Sequence, residues 1–151
     1  VKTNFGVTFP ARATYTYTAT EILEDFTTKD PLLGDRRLSG RVTAGSELPY
    51  IPKHQASAML GAEGKRWGVA LSMTHVSRMR EVAGAGALED ARASDSYTLF
   101  DVSGNVKLAK WAQLYLNVRN LTDRAYLVSH RPFGARPGAP RSMMAGLKVE
   151  F

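Results

Sequence analysis

The sequence predicts an all-β protein, built as an antiparallel up-and-down sheet of about six strands. Apolar and polar residues alternate with period two in six separate stretches, the pattern of strands with one apolar and one polar face. Each stretch runs for about ten residues, longer than the usual five or six of soluble sheets. Short and long connections alternate between them, as in a meander whose two ends differ.

Six strands are expected, at 7–20, 50–63, 66–79, 96–108, 112–122 and 141–151. The first contains PARATYTYTAT, in which Ala and Tyr alternate with Arg and Thr. The second and third contain KHQASAMLGAE and RWGVALSMTHVSR and are joined by the tight EGKR. The fourth and fifth contain YTLFDVSGNVKL and AQLYLNVRN and meet around LAKWA. The sixth is RSMMAGLKVEF, which alternates up to Phe151.

Long polar segments at 21–47, 79–95 and 122–140 follow the first, third and fifth strands, and the first of them is expected to contain a small hairpin. Soluble domains seldom carry structureless loops above about 12–15 residues, whereas outer-membrane barrels combine short turns at one end with long external loops. We therefore predict a segment of a transmembrane β-barrel. The residues expected to face lipid are Ala13, Tyr15, Tyr17, Leu71, Val102, Leu116, Leu147 and Val149, and those expected to face the lumen are Thr14, Thr16, Asp101, Asn117, Arg119 and Lys148.

Aromatic residues fall at two levels, as in the girdles of membrane barrels. Phe9, Trp67, Trp111 and Phe151 are expected near the short turns, and Tyr50, Tyr97 and Tyr126 near the long loops. The alternative is a soluble β-sandwich in which the aromatic spacing is accidental.

The amino-acid composition limits the kinds of site and partner that the chain can have. Of 151 residues, 44% are hydrophobic and 23% charged, which favours a folded chain. Cysteine is absent, so disulfides and thiolate metal sites are excluded. The net charge of +6 favours anionic partners. No apolar run approaches the roughly 18 residues of a membrane-spanning helix.

Three stretches carry a resemblance to a known family: LPYIPKHQ (48–55), NLTDRAY (120–126) and the ending RPFGARPGAPRSMMAGLKVEF. Together they resemble the closing part of TonB-dependent outer-membrane receptors, most nearly of the ferric dicitrate or siderophore type. The resemblance implies the C-terminal part of a 22-stranded barrel in the outer membrane of a Gram-negative bacterium. It also implies that Leu147, Val149 and Phe151 close the barrel and form the signal read by the outer-membrane assembly machinery.

The sequence departs from that family pattern because it contains no plug domain, no energy-coupling box and too few strands to close a barrel. Residues 1–151 are therefore expected to be the C-terminal part of a longer receptor, or an inactive orphan fragment. The partners that the resemblance implies are a ferric chelate, outer-membrane lipid and lipopolysaccharide, and TonB through the missing plug. No nucleic acid and no cofactor are expected.

No catalytic or metal-binding pattern is present. GAGAL (84–88) lacks the spacing of a phosphate-binding loop, and the three histidines lack ligand spacing. The candidate ligand-binding residues are Arg78, Arg80, Arg131 and Arg136, since guanidinium groups bind carboxylates and phosphates bidentately. The alternative role for the arginines is loop packing against Glu81, Asp90 or Asp123. The alternative function is that of a basic soluble β-sheet protein that binds nucleic acid or another polyanion.

Overall fold

The computed structural model describes residues 6–30, 40–131 and 134–150. Within these ranges the strands are β1 (Ala11–Tyr17), β2 (Phe26–Thr27), β3 (Arg41–Val42), β4 (His54–Glu63), β5 (Trp67–Val76), β6 (Tyr97–Lys107), β7 (Ala112–Arg119), β8 (Leu127–Ser129), β9 (Arg136–Pro137) and β10 (Ser142–Val149). A 3-10 helix spans Asp90–Arg92. Six of the strands form one sheet in the order β1-β4-β5-β6-β7-β10, and each neighbouring pair is antiparallel.

The six predicted strands are confirmed, and each of the six strands of the large sheet lies inside its predicted range. The predicted strands extend beyond the observed strands mainly at the end of the sheet that carries the long connections. There Tyr50 and Asn120 take positive φ angles of 59° and 50°, a conformation that non-glycine residues adopt in turns and that ends a strand. Alternation in the sequence continues past these points, so it gave no sign of the change in the backbone.

Three long connections join the main strands: loop 1 (18–53), loop 2 (77–96) and loop 3 (120–141). The hairpin expected in the first is confirmed, because β2 pairs with β3. Loop 3 contains a second hairpin, β8 with β9, which the sequence pattern did not reveal. Strands of two or three residues are too short for period-two alternation to be visible.

The strand register aligns residues of similar polarity in rows across the sheet. One row runs through Leu60, Leu71, Val102, Val118 and Met143. All eight residues predicted to face lipid share the face of this row, and the six predicted to face the lumen share the other. Since side chains alternate strictly along a strand, the predicted division into two faces is confirmed.

The aromatic girdle is only partly as predicted. Trp67 is paired with Val106 on the apolar face near the short turns. Tyr97, however, is paired with Val76 on the polar face, and its ring packs on Tyr126 at a centroid distance of 4.3 Å. Tyr97 therefore lies at the predicted level, near the long loops, but on the polar face of the sheet, so it does not belong to a girdle on the apolar face. The apolar face instead carries Tyr15 at that end, whose hydroxyl lies 2.8 Å from His54 Nδ1.

Among the described residues, no second layer covers either face of the six-stranded sheet. Large apolar side chains such as Leu60, Leu116, Met143 and Leu147 are between 43% and 70% exposed, and contiguous apolar surface of this kind marks a site of interaction with protein or membrane. The most completely buried residues among those described, Ser46, Glu81, Ala93 and Ser94, belong instead to the long loops. In the described ranges, β1 and β10 each pair on one side only, so the sheet is not closed into a barrel.

Candidate functional site at the long-loop end

All three long loops lie at one end of the sheet. Because successive strands of the meander run antiparallel, loops 1, 2 and 3 leave and re-enter at the same edge. The connections at the opposite end, among the described residues, are the short turns 64–66 and 108–111. The long-loop end therefore carries the candidate functional site.

Loops 1 and 2 are joined through Glu47. Its backbone exchanges hydrogen bonds with Gly84, at 2.9 and 3.3 Å. Its carboxylate lies 2.7 Å from Lys53 Nζ and 3.1 Å from Arg80 Nε. The hydrogen bond from Lys53 lowers the pKa of Glu47; burial opposes this, and Arg80 adds to the lowering. An ionised Glu47 between two cations thus fixes the relative position of the two loops.

Loop 2 holds loop 3 with two carboxylates, one at each end of β8. Asp95 Oδ2 accepts a hydrogen bond of 2.8 Å from the Leu127 N–H, and the Asp95 N–H donates to the Leu127 carbonyl at 3.0 Å. Glu81 Oε1 accepts a hydrogen bond of 2.7 Å from the His130 N–H and lies 3.1 Å from His130 Nδ1. Glu81 is fully buried, and its other carboxylate oxygen has no partner among the described residues.

Asn120, the first residue of NLTDRAY, organises the base of loop 3. Its side-chain amide donates to the carbonyls of Arg124 and Ala139, both at 3.0 Å, and its side-chain oxygen accepts from the Arg124 N–H at 2.9 Å. Its own N–H donates to Asp101 Oδ1 at 2.8 Å. Asn120 has a positive φ of 50°, and Asn tolerates the left-handed backbone that this turn uses.

The four candidate arginines are distributed over two loops. Arg78 donates to Asp90 at 2.7 Å, and Arg80 is paired with Glu47, so both are held in loop 2 by carboxylates. Arg131 and Arg136 lie in loop 3, and Arg136 is exposed on β9. Of the packing partners considered from sequence, Asp90 does bind an arginine, and Asp123 pairs with Arg141 at 3.8 Å. Glu81 pairs with His130 instead.

Sequence reasoning missed the acidic residues that join the loops. Glu47 and Asp95 were not singled out, and Glu81 was considered only as a partner for an arginine. Composition gave no signal for them, because loop 2 contains Glu89 and Asp90 beside Glu81 and Asp95, and loop 1 contains several acids besides Glu47. Which backbone N–H groups they would bind depends on how the loops fold together, and the sequence does not encode this locally.

The described residues contain neither a metal-binding cluster nor a membrane-spanning helix. No three His, Asp or Glu side chains stand close enough together to hold a metal ion. No helix among those residues has the length and hydropathy needed to cross a membrane.

The architecture is that of part of a barrel wall, with two unlike faces and a loop cluster at one end. Residues 2–121 match the family described as "TonB dependent receptor-like, beta-barrel", and the chain belongs to this family. No curated protein matches the sequence.

Solved structures agree on the fold. The ferric-catecholate import receptor Fiu from Escherichia coli K12, in its closed form, is 20% identical with a TM-score of 0.67, and the match covers 95% of this chain and 19% of Fiu. The siderophore receptor PiuA from Acinetobacter baumannii is 18% identical with a TM-score of 0.68, covering 93% and 19%. The copper transporter OprC is 21% identical with a TM-score of 0.56, covering 71% and 19%. The chain thus spans about a fifth of the length of these proteins.

Proposed function

We propose that this chain is part of an outer-membrane receptor that imports an iron chelate, driven by TonB. One observation carries the proposal: in a chain of this receptor family, one sheet face is apolar, the other is polar, and every long loop in the described ranges lies at one end. That division suits a wall between lipid and an aqueous lumen, with the loops outside the cell. It favours a transport role over the alternative of a soluble protein that binds nucleic acid.

Within that receptor, residues 1–151 would supply wall, external loops and the closing strand, as its C-terminal part. The free edge of β10 supports this role, because an unpaired edge must be covered by another strand. Leu147 and Val149 lie on the apolar face of β10, paired with Leu114 and Ala112. Phe151 lies outside the described residues, and its part in closure and in recognition by the assembly machinery is proposed from sequence. Lipopolysaccharide would surround the loop end, and TonB would act through a plug supplied by the rest of the receptor.

The ligand would be captured by arginines of the loop end. Arg131 and Arg136 lie in the segment RPFGARPGAP, whose prolines restrict the backbone around them. Arg78 and Arg80 are held by carboxylates, so their positions are fixed before a ligand arrives. Positive charge here would raise the local concentration of an anionic chelate, an effect that salt screens within about 8 Å at physiological ionic strength.

The transport proposal is tested by uptake. The complete receptor that carries this segment is expressed in cells lacking their own iron-chelate receptors, and radioactive iron uptake is measured for citrate, hydroxamate and catecholate chelates. We expect uptake of at least one chelate and its loss when TonB is deleted. Copper uptake without uptake of any iron chelate would replace the iron assignment with one like that of OprC.

The arginine proposal has its own test. Arg131→Ala combined with Arg136→Ala should weaken binding of the transported chelate, more strongly at low salt than at moderate salt. Lys110→Ala is the matched control, because it removes one exposed cation from a short turn at the opposite end. If the double variant retains parental affinity and parental salt dependence, these two arginines have a structural role only.

A further inference from the structure

The apolar face of the large sheet has one corner that is polar. Five side chains able to form hydrogen bonds lie there, at the long-loop end of β1, β4, β5 and β6: Tyr15, Tyr17, His54, His75 and Thr98. The register places them in two neighbouring rows. Tyr17 is paired with His54 in one row, and Tyr15, His75 and Thr98 are aligned through Ala56 in the other. We call these five residues the polar corner.

The polar corner is isolated on its face of the sheet. In the six strands, the other described residues of that face are Ala, Gly, Val, Leu, Met, Phe and Trp. Every Asp, Glu, Lys and Arg of these strands lies on the polar face. Polar groups on a surface that faces lipid are costly and mark a functional site.

The height of the polar corner is that of a membrane boundary. His75 lies roughly 26 Å along β5 from Trp67, at about 3.3 Å per residue. A strand tilt of about 35–45° reduces this to a height of about 20 Å, against about 25 Å for the apolar band of an outer-membrane barrel. Trp67 and His75 therefore lie near opposite edges of the band, with His75 at the edge that carries the long loops.

A hydroxyl group holds each of the two imidazole rings at Nδ1. The Tyr15 hydroxyl lies 2.8 Å from His54 Nδ1, and Thr98 Oγ1 lies 2.9 Å from His75 Nδ1. The ring of Tyr17 packs beside that of His54 at a centroid distance of 5.3 Å. When a hydroxyl donates to Nδ1, the neutral ring carries its proton on Nε2, and the charged ring carries a proton on both nitrogens. Nε2 of each histidine is therefore a hydrogen-bond donor in both forms.

These groups suit a ligand that accepts hydrogen bonds. The corner offers two Nε2–H donors and the hydroxyl groups of Tyr15 and Tyr17, which are 65% and 59% exposed. A phosphate ester presents several strong acceptor oxygens, and hydrogen bonds to a charged acceptor are the stronger kind. In the next row toward the centre of the sheet, Ala13 is paired with Ala58, so short side chains leave room for an acyl chain below the headgroup.

We propose that the polar corner binds a phosphate group on the sugar headgroup of an outer-leaflet glycolipid, and so holds one lipid molecule at a fixed place on the wall. This inference rests on the proposed function, which puts the long loops outside the cell. Nε2 of His54 and of His75 donates to the phosphate. Tyr15 and Thr98 act as positioning residues, because their hydroxyls hold the two imidazole rings.

The test uses the complete purified receptor and measures bound lipid by native mass spectrometry. The probes are bisphosphorylated lipid A, the same lipid A after removal of its phosphates, and phosphatidylglycerol. His54→Ala with His75→Ala removes both donors, and Tyr15→Phe removes only the hydroxyl that holds His54. Gln55→Ala with Thr74→Ala is the matched control, because it shortens two polar side chains of the same strands on the opposite face. Iron-chelate uptake at the parental rate in cells shows that each variant is folded.

We expect the double histidine variant to bind bisphosphorylated lipid A about 10- to 100-fold more weakly than the parent, the loss that accompanies removal of two hydrogen bonds to a charged group. Tyr15→Phe should weaken binding less, and the control should bind as the parent does. Dephosphorylated lipid A should bind parent and double histidine variant equally weakly. Phosphatidylglycerol should compete poorly, because its single phosphodiester has fewer acceptor oxygens and no sugar.

Three results would overturn the inference. The first is equal binding of bisphosphorylated lipid A by the parent and the double histidine variant. The second is phosphatidylglycerol binding as tight as that of lipid A, which would make the corner a site for any anionic lipid. The third is an oligomer of the parent that the double variant loses without a change in bound lipid, which would assign this face to a second copy of the receptor. All three leave iron transport standing, whereas a complete receptor that imports no iron chelate removes the proposed function itself.

Discussion

The contact between Glu81 and His130 should decide whether loop 3 stays docked on loop 2. Glu81→Ala removes a fully buried carboxylate that accepts from the His130 backbone at 2.7 Å and lies 3.1 Å from its ring nitrogen. Two hydrogen bonds to a charged acceptor are worth together about 3–6 kcal/mol, but the second, unpartnered oxygen already costs about 1–3 kcal/mol of that. The net loss of docking free energy should be about 2 kcal/mol, which corresponds to a roughly 30-fold larger undocked population.

Amide hydrogen exchange measures this directly in the complete receptor. Exchange of the His130 amide should accelerate about 30-fold in Glu81→Ala, while amides in the centre of β5 and β6 keep their protection. The Leu127 amide, which donates to Asp95, should accelerate less because its acceptor remains. Glu81→Gln should fall between parent and Ala, because it keeps an acceptor but places an NH₂ group where the unpartnered oxygen lies.

Glu89→Ala is the matched control in the same loop. Glu89 makes only a 3.6 Å ion pair and is 71% exposed, so its removal should leave the His130 amide unchanged. If Glu81→Ala and Glu89→Ala give the same exchange at His130, the carboxylate does not hold loop 3, and the reasoning from burial and hydrogen bonding is wrong.

Three further predictions concern the base of loop 3, the wall and the loop 1–loop 2 contact. Asn120→Ala should destabilise loop 3 by about 2–3 kcal/mol, since three side-chain hydrogen bonds are lost. Loop 3 should then become sensitive to limited proteolysis, and a proteolysis pattern identical to the parent's would contradict this. Spin labels at Leu116 and Asn117 should report lipid and water accessibility respectively, and Leu116→Arg should cost about 2–4 kcal/mol; equal accessibility of the two labels would refute the assignment of faces. Because the folded-state pKa of Glu47 is lowered, its contribution to loop docking should be complete above the ordinary Glu range and disappear as pH falls through the lowered value. Hydrogen exchange of loop 1 between pH 6 and 3 should show this loss, and Glu47→Gln should abolish the pH dependence; a Gln variant that keeps it would assign the effect to another group.

The sequence by itself determined the strands of the barrel wall and the face of the sheet on which each of their side chains lies. Period-two alternation fixes which side chains share a face, because neighbouring residues of a strand point to opposite sides whatever the strand pairs with. Leu71 and Val102 could therefore be placed together, and Asp101 opposite them, before any pairing was known. The alternation of short turns and long loops likewise fixed the order of strands in the sheet.

Only the tertiary structure decided which residues contact one another at the long-loop end. Arg78 and Arg80 are two residues apart and of the same type, yet one binds Asp90 in its own loop and the other binds Glu47 in the loop before it. The acids Glu81 and Asp95 bind backbone N–H groups that lie 49 and 32 residues away along the chain. Loop residues have no repeating geometry, so their partners depend on which segments the strands bring to the same edge. A cavity of about 450 Å³ between loops 1 and 2 arises in the same way, because Arg41 of loop 1 and Arg92 of loop 2 line it together only when the two loops meet.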